Sequence, residues 1–231
     1  MIAAAGPENA VMKALVLLVS IALAPLAAAA EQTVSTTPYM ALYQVLTPAR
    51  VMSSYDRLVA IERIQSKIAG VDPSDIRVVI HAKAGAIPVP IAPDGRVNFP
   101  TTDALRDENP PVETNQPKGS LALTVIVALG GIDRLRVPWT DIQAGLVQVK
   151  KFYADNVPSG TTAPSVHGIE VHFPAGSGAT LTIEGHGERL LMADAAGRIV
   201  VTNDMAIEKE QPTLVFSRAP DFIMPYTDEM K

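Results

Sequence analysis

The sequence predicts an α+β fold of two similar halves made by internal duplication, each half one helix plus a small, mainly antiparallel sheet. Three observations predict it. Two stretches align without a gap at an offset of 102 residues, as from Gly95 to Gly197. Each half carries one segment with apolar residues three or four apart, the spacing of a helix that buries one face. Short runs rich in β-branched residues then succeed one another without intervening helices, which is the order of an α+β chain and not of a parallel βαβ sheet.

Taken from the N-terminus, the first element is an address. Ala14 to Leu26 is an apolar run preceded by Lys13 and followed by Ala27 to Ala30. A base, a short apolar stretch and a small-residue exit are the three parts of a secretory signal peptide. Ala28-Ala29-Ala30 places the cut after Ala30, which leaves Glu31 first and sends the product to the periplasm or beyond. Pro25 and Glu31 end the run short of the roughly 20 apolar residues that a membrane span needs. Met1 to Val11 carries Glu8 and no base, whereas Met12-Lys13 makes a conventional signal start. Leu121 to Leu129 is apolar but stops at Gly130-Gly131, so no membrane span is expected after cleavage. The expected organisation is a signal peptide over 1–30, a first α+β repeat over 31–131 and a second over 132–231.

In the first repeat, Tyr55, Leu58, Ile61, Ile64 and Ile68 step at helical spacing, with Ser53 and Ser54 as caps and Gly70 as a stop. Ile76 to His81 reads as a strand. Ile87 to Ile91 and Arg96 to Phe99 flank Pro93-Asp94-Gly95 and read as a hairpin. Asp103 to Glu108 reads as a solvated loop or a short helix, and Leu121 to Leu129 as a strand. In the second repeat, Pro138 opens a helix in which Trp139, Ile142, Leu146, Val149 and Phe152 recur on one face. Lys150 and Lys151 lie near its C-terminus, where the helix dipole favours cations. Pro158 to Pro164 reads as an inserted loop, and Ile169 to Phe173 and Thr180 to Ile183 as strands. Leu190 to Met192 and Arg198 to Val201 flank Asp194-Ala195-Ala196-Gly197 as a second hairpin.

The repeat rests on particular pairs. Gly95/Gly197, Arg96/Arg198, Glu108/Glu210 and Pro110/Pro212 are identical. Val97/Ile199, Phe99/Val201, Leu105/Ile207, Asn109/Gln211 and Val112/Leu214 are conservative. Pro110 and Pro212 cannot donate to a ladder, which places them at strand starts or edges. The polar residues beside each Pro read as turn chemistry, not as a duplicated ligand site.

Tyr55-Asp56-Arg57-Leu58 soon after a signal peptide, then strand pairs and Pro100-Thr101-Thr102-Asp103-Ala104-Leu105, resembles exported Gram-negative bacterial proteins grouped as a domain of unknown function. The resemblance covers the helix start and part of the first repeat. It implies a compartment and no reaction.

Function classes narrow by composition. The 19 basic and 24 acidic side chains leave a net charge of −5, with no basic block to track phosphates, so no nucleic-acid partner is expected. The absence of cysteine excludes disulfides, thiolate metal sites and cysteine nucleophiles. The phosphate-loop, dinucleotide, nucleophile-elbow and zinc-protease motifs are missing. One constellation stands out: His167, Glu170, His172, Glu184, His186 and Glu188. Residues two apart share a strand face, so pairing of the two segments would let imidazoles and carboxylates converge as ligands for a divalent ion. The competing explanation is the alternation of a strand whose outer face meets water. Trp139, Phe152 and Tyr153 could line a groove, but their helical spacing points them at a core. No catalytic, cofactor-binding or metal-ligating residue is assigned. The expectation is an exported, cysteine-free, non-enzymatic binding or interaction protein whose partner is an envelope protein or a small ligand. The alternative is a metal-dependent hydrolase built on the second-half His/Glu cluster.

Overall fold

The computed structural model describes residues 34–132, 134–156, 162–185 and 187–227. The expected signal peptide, most of the inserted loop and His186 lie outside the described residues.

The elements run β1 (Ser35–Pro38), α1 (Tyr39–Met52), β2 (Leu58–Ser66), β3 (Val78–Ala82), β4 (Gly85–Val89), α2 (Asp103–Glu108), β5 (Pro111–Thr114) and β6 (Leu121–Leu129). They continue with β7 (Arg136–Pro138), α3 (Trp139–Asn156), β8 (Val166–His172), β9 (Thr180–Glu184), β10 (Arg189–Met192), β11 (Arg198–Thr202), α4 (Met205–Glu210), β12 (Thr213–Phe216) and β13 (Phe222–Thr227). The chain is therefore α+β and rich in sheet. Among the described residues four sheets are ordered β1-β5-β3-β4, β7-β12-β9-β10, β11-β8-β13 and β2-β6, and their ladders are antiparallel.

The helix expected over Tyr55–Ile68 is not a helix. Leu58–Ser66 is a nine-residue strand, paired from Leu58↔Leu129 to Ser66↔Leu121. Steps of three along a strand alternate faces, so Leu58 and Ile64 bury while Ile61 lies on the other side with Val59, which is 44% exposed. Val59, Ile61 and Ile64 are β-branched, and the apolar β6 offers them a ladder. The helix of the first half lies upstream in α1. Tyr39, Tyr43 and Leu46, at i, i+4 and i+7, supply its buried face, and Pro48 inside it withholds one backbone donor.

α3 forms where expected and buries Trp139, Ile142, Leu146, Val149 and Phe152. Asp103 to Glu108 is a short helix, capped by Thr102 Oγ1 accepting from Leu105 N at 3.2 Å. Asp204 Oδ1 caps α4 in the same way from Ile207 N at 2.9 Å. Asn109 (φ 49°) and Gln211 (φ 48°) end these helices in the left-handed region, an uncommon place for a side chain other than glycine.

The two expected hairpins are corrected in part. The turns form: Ala92 N donates to Arg96 O and Gly95 N to Ala92 O, both at 2.8 Å. Asp194 N to Arg198 O (3.0 Å) and Gly197 N to Asp194 O (2.9 Å) repeat the pattern. Beyond an Ile91↔Val97 bridge, however, the flanking segments part company. β4 pairs with β3 while Arg96 bridges Arg63 of β2, and β10 pairs with β9 while β11 pairs with β8. Each turn carries the chain from one sheet to another. Local turn chemistry closes the loop, but long-range burial decides the strand partners.

Two apolar clusters form the core. One gathers Tyr39, Leu46, Ile64, Ile80 and Phe99; the other is built around Trp139, Ile169, Leu181 and Phe216. The second also takes Met52, Leu58 and Leu129, so first-half residues pack into the second-half core.

Candidate functional site

Among the described residues, which leave out His186, the two segments of the His/Glu constellation do not pair. β8 lies between β11 and β13, and β9 between β10 and β12, so the two strands belong to different sheets. Ile169 and Val171 of β8 bury in the same core as Leu181 and Ile183 of β9. Both strands thus turn apolar faces to that core and polar faces away from it. Glu184 is taken by Arg136, with contacts of 3.1 Å from Nη1 to Oε1 and 2.6 Å from Nη2 to Oε2. His167 and Glu188 are exposed. Among the described residues no three His, Asp or Glu side chains are placed to hold a metal ion.

Glu170 and His172 do share a face of β8, and His172 borders a different site. His172 Nε2 lies 2.8 Å from Glu170 Oε1, too oblique for a hydrogen bond along the ring N–H direction. The imidazole stacks on Phe222 of the neighbouring β13, with centroids 4.2 Å apart and planes 16° from parallel. The Arg63 guanidinium of β2 stands over the other ring of that stack, 5.6 Å from the Phe222 centroid. Arg63 Nη2 is 3.7 Å from Asp94 Oδ2. Asp94 is already engaged, because Arg96 Nε sits 3.0 Å from the same oxygen and Arg96 N donates to Oδ1. Arg96 Nη2 in turn donates to the Asp221 carbonyl at 3.0 Å, tying the turn at Gly95 to the start of β13.

These groups border a cleft of about 400 Å³, lined by Arg63, Asp94, His172, Pro174, Asp221 and Phe222 among others. Its walls come from β2 and the turn after β4 on one side, and from β8 and β13 on the other. Arg63 bridges Arg96 as His172 pairs with Arg198, so each lies beside the arginine that follows a turn glycine.

Burial pushes the His172 imidazole below its ordinary pKa, against the upward pull of Glu170, and the Arg198 and Arg63 charges add to the lowering. The ring is therefore neutral at pH 7. The cleft offers a cation, two carboxylates, a neutral imidazole and an aromatic face, an arrangement suited to holding a small polar molecule. Arg63 Nε is buried here without a hydrogen-bond partner, whereas Arg96 Nε and His172 Nε2 each face a carboxylate, at 3.0 Å and 2.8 Å.

A pH dependence follows. The unfolded chain binds a proton at an ordinary imidazole while the folded one resists it, so stability from this site is complete above pH 6.5 and is lost as pH falls toward the lower folded value. Urea midpoints of His172→Gln should show less of this fall between pH 7 and pH 5 than the wild type. An identical slope in both would contradict the assignment.

Sequence reasoning missed most of this site. Arg63 lies inside the segment whose spacing predicts a helix, Asp94 lies in a turn, and Phe222 carries no local signal. The usable clue was the Arg96/Arg198 identity in the repeat. A scan against protein-family models finds no match to the chain, and searches of curated proteins and of solved structures find none.

Proposed function

We propose that the chain is an exported, periplasmic, non-enzymatic binding protein, built by duplication of one α+β unit, that holds a small molecule in the cleft at Arg63 and His172. Duplication is supported by matched connections. The order β1-β5-β3-β4 recurs in β7-β12-β9-β10, α2 recurs in α4 with its left-handed end, and Tyr39 N to Pro110 O (3.0 Å) recurs in Trp139 N to Pro212 O (2.8 Å). Export is supported by Lys13, the apolar run and Ala28-Ala29-Ala30.

Arg63 carries the ligand reading. Its Nε is buried without a partner, and its nearest carboxylate is at 3.7 Å, beyond hydrogen-bonding distance and already shared with Arg96. A guanidinium half-withdrawn from water and left so sparsely bonded costs free energy that an incoming acceptor recovers. The ligand then has a hydrogen-bond acceptor for Arg63 and a flat or apolar part that rests against the Phe222–His172 stack. Mass spectrometry of protein taken from the periplasm tests both parts. The intact mass should begin at Glu31 within a residue or two. Native spectra should show a small adduct on the wild type that Arg63→Ala loses, whereas equal adducts on both chains would contradict the reading.

A further inference from the structure

Thr114 ends β5, and its register position is held in the other four-stranded sheet by Phe216. Thr114 lies opposite Ser35 of β1 and Val78 of β3. Phe216 lies opposite Leu181 of β9, and its N–H donates to Leu135 O at 2.8 Å just ahead of β7. Val112 and Leu214, Ile80 and Ile183, and Thr37 and Val137 match in the same way along these ladders. Phe216 is 2% exposed and meets the Phe173 ring edge-on at 6.3 Å. The position matching Phe173 is Ile64, since Ile64 N donates to Gly95 O as Phe173 N donates to Gly197 O, both at 2.8 Å. Two packed rings on one side are thus an isoleucine and a threonine on the other.

Thr114, the register match of Phe216, instead lines a partly open cavity of about 280 Å³ bounded by Leu42, Val45, Val78, Val112, Leu121 and Leu123, of which Val45 is 45% exposed. Its polar wall is short: Ser35, Thr37 and Thr114. Ser35 Oγ is committed to the Gln116 carbonyl at 2.7 Å, and Thr114 Oγ1 accepts from Gln116 N at 3.3 Å. Enclosed apolar cavities of about 150 Å³ take up benzene, and this partly open one, at about 280 Å³, has the volume for a ring and a substituent.

We infer that this cavity is a second binding site, for a small monocyclic aromatic molecule of the phenol class, whose ring takes the place that the Phe216 side chain takes in the other sheet. The ring packs among Leu42, Val78, Leu121 and Leu123, and its single polar group lies toward the Thr37 and Thr114 wall. The inference rests on the matched registers that also support duplication, and it is independent of the cleft at Arg63.

Calorimetric titration of 4-methylphenol into the full chain, with thermal unfolding of each variant, tests it. The wild type and Thr114→Val, which keeps the volume of the side chain, should bind one equivalent with affinities within a few-fold of each other. Thr114→Phe should weaken binding at least tenfold and raise the unfolding temperature without ligand, because the new ring fills existing space. Thr114→Leu should fall between them, and Arg63→Ala should bind 4-methylphenol as the wild type does. No saturable binding by the wild type, or undiminished binding by Thr114→Phe, would overturn the site. So would a Thr114→Phe chain that is less stable than the wild type or does not fold, since the ring would then have no room. A loss of binding in Arg63→Ala would place 4-methylphenol in the cleft and overturn it as well.

Discussion

Gly197→Val should be among the most damaging single substitutions in this protein, costing about 3 kcal/mol or more of folding stability. The backbone at Gly197 has φ +81°, where an L side chain costs about 1–2 kcal/mol and branching at Cβ makes matters worse. A Cβ there would also stand 2.1 Å from Phe173 O and 2.9 Å from Pro174 O, both backbone atoms. Relief requires moving the strand end that donates Phe173 N to Gly197 O, one of the bonds that seats β11 beside β8. Gly95→Val meets Ile64 O at 2.7 Å and should cost less, though still more than Gly176→Ala, which has φ +68° and open space. Urea unfolding should therefore rank Gly197→Val below Gly95→Val and Gly95→Val below Gly176→Ala. An order with Gly197→Val as the mildest would contradict the turn geometry.

Trp139→Ala should cost about 3–5 kcal/mol, the usual range for emptying a buried indole position. Trp139 is wholly buried at the start of α3, in the larger of the two core clusters. Its Nε1 has no hydrogen-bond partner, so the indole pays for a buried donor while contributing packing. Trp139→Phe should therefore cost much less, because it keeps most of the ring contact and removes the unpaired N–H. Trp139 N to Pro212 O is a main-chain bond and survives both changes. Trp139 is the only tryptophan, so unfolding has to be followed by circular dichroism. Equal losses for the two variants would mean that packing of the ring is not what Trp139 supplies.

The elements that could be read from the residues are those whose information is local. Pro138 followed by a clean stripe from Trp139 to Phe152 specifies α3, and the Gly95 and Gly197 turns carry their own chemistry in Asp94, Asp194 and the glycines. The first helix escaped because Pro48 lies inside it, and its stripe of Tyr39, Tyr43 and Leu46 is short. The strand over Leu58–Ser66 was mistaken for it because apolar residues three apart fit a helix face, and equally a strand buried at Leu58 and Ile64. Which strands share a sheet depends on burial between residues far apart in sequence, and here the chain changes sheets at both turns. The cleft was illegible for the same reason. Glu170 and His172 were singled out, but Arg63, Asp94 and Phe222 join them only after β2, β8 and β13 have found their neighbours.

The most direct test of the ligand reading is a crystal structure of the chain purified from the periplasm under conditions that retain tightly held small molecules. The account predicts continuous non-protein density in the cleft, with an acceptor atom within about 3.2 Å of Arg63 Nη1 or Nη2 and a flat or apolar portion against the Phe222–His172 stack. A cleft without such density, with Arg63 closed onto Asp94 at hydrogen-bonding distance, would contradict it.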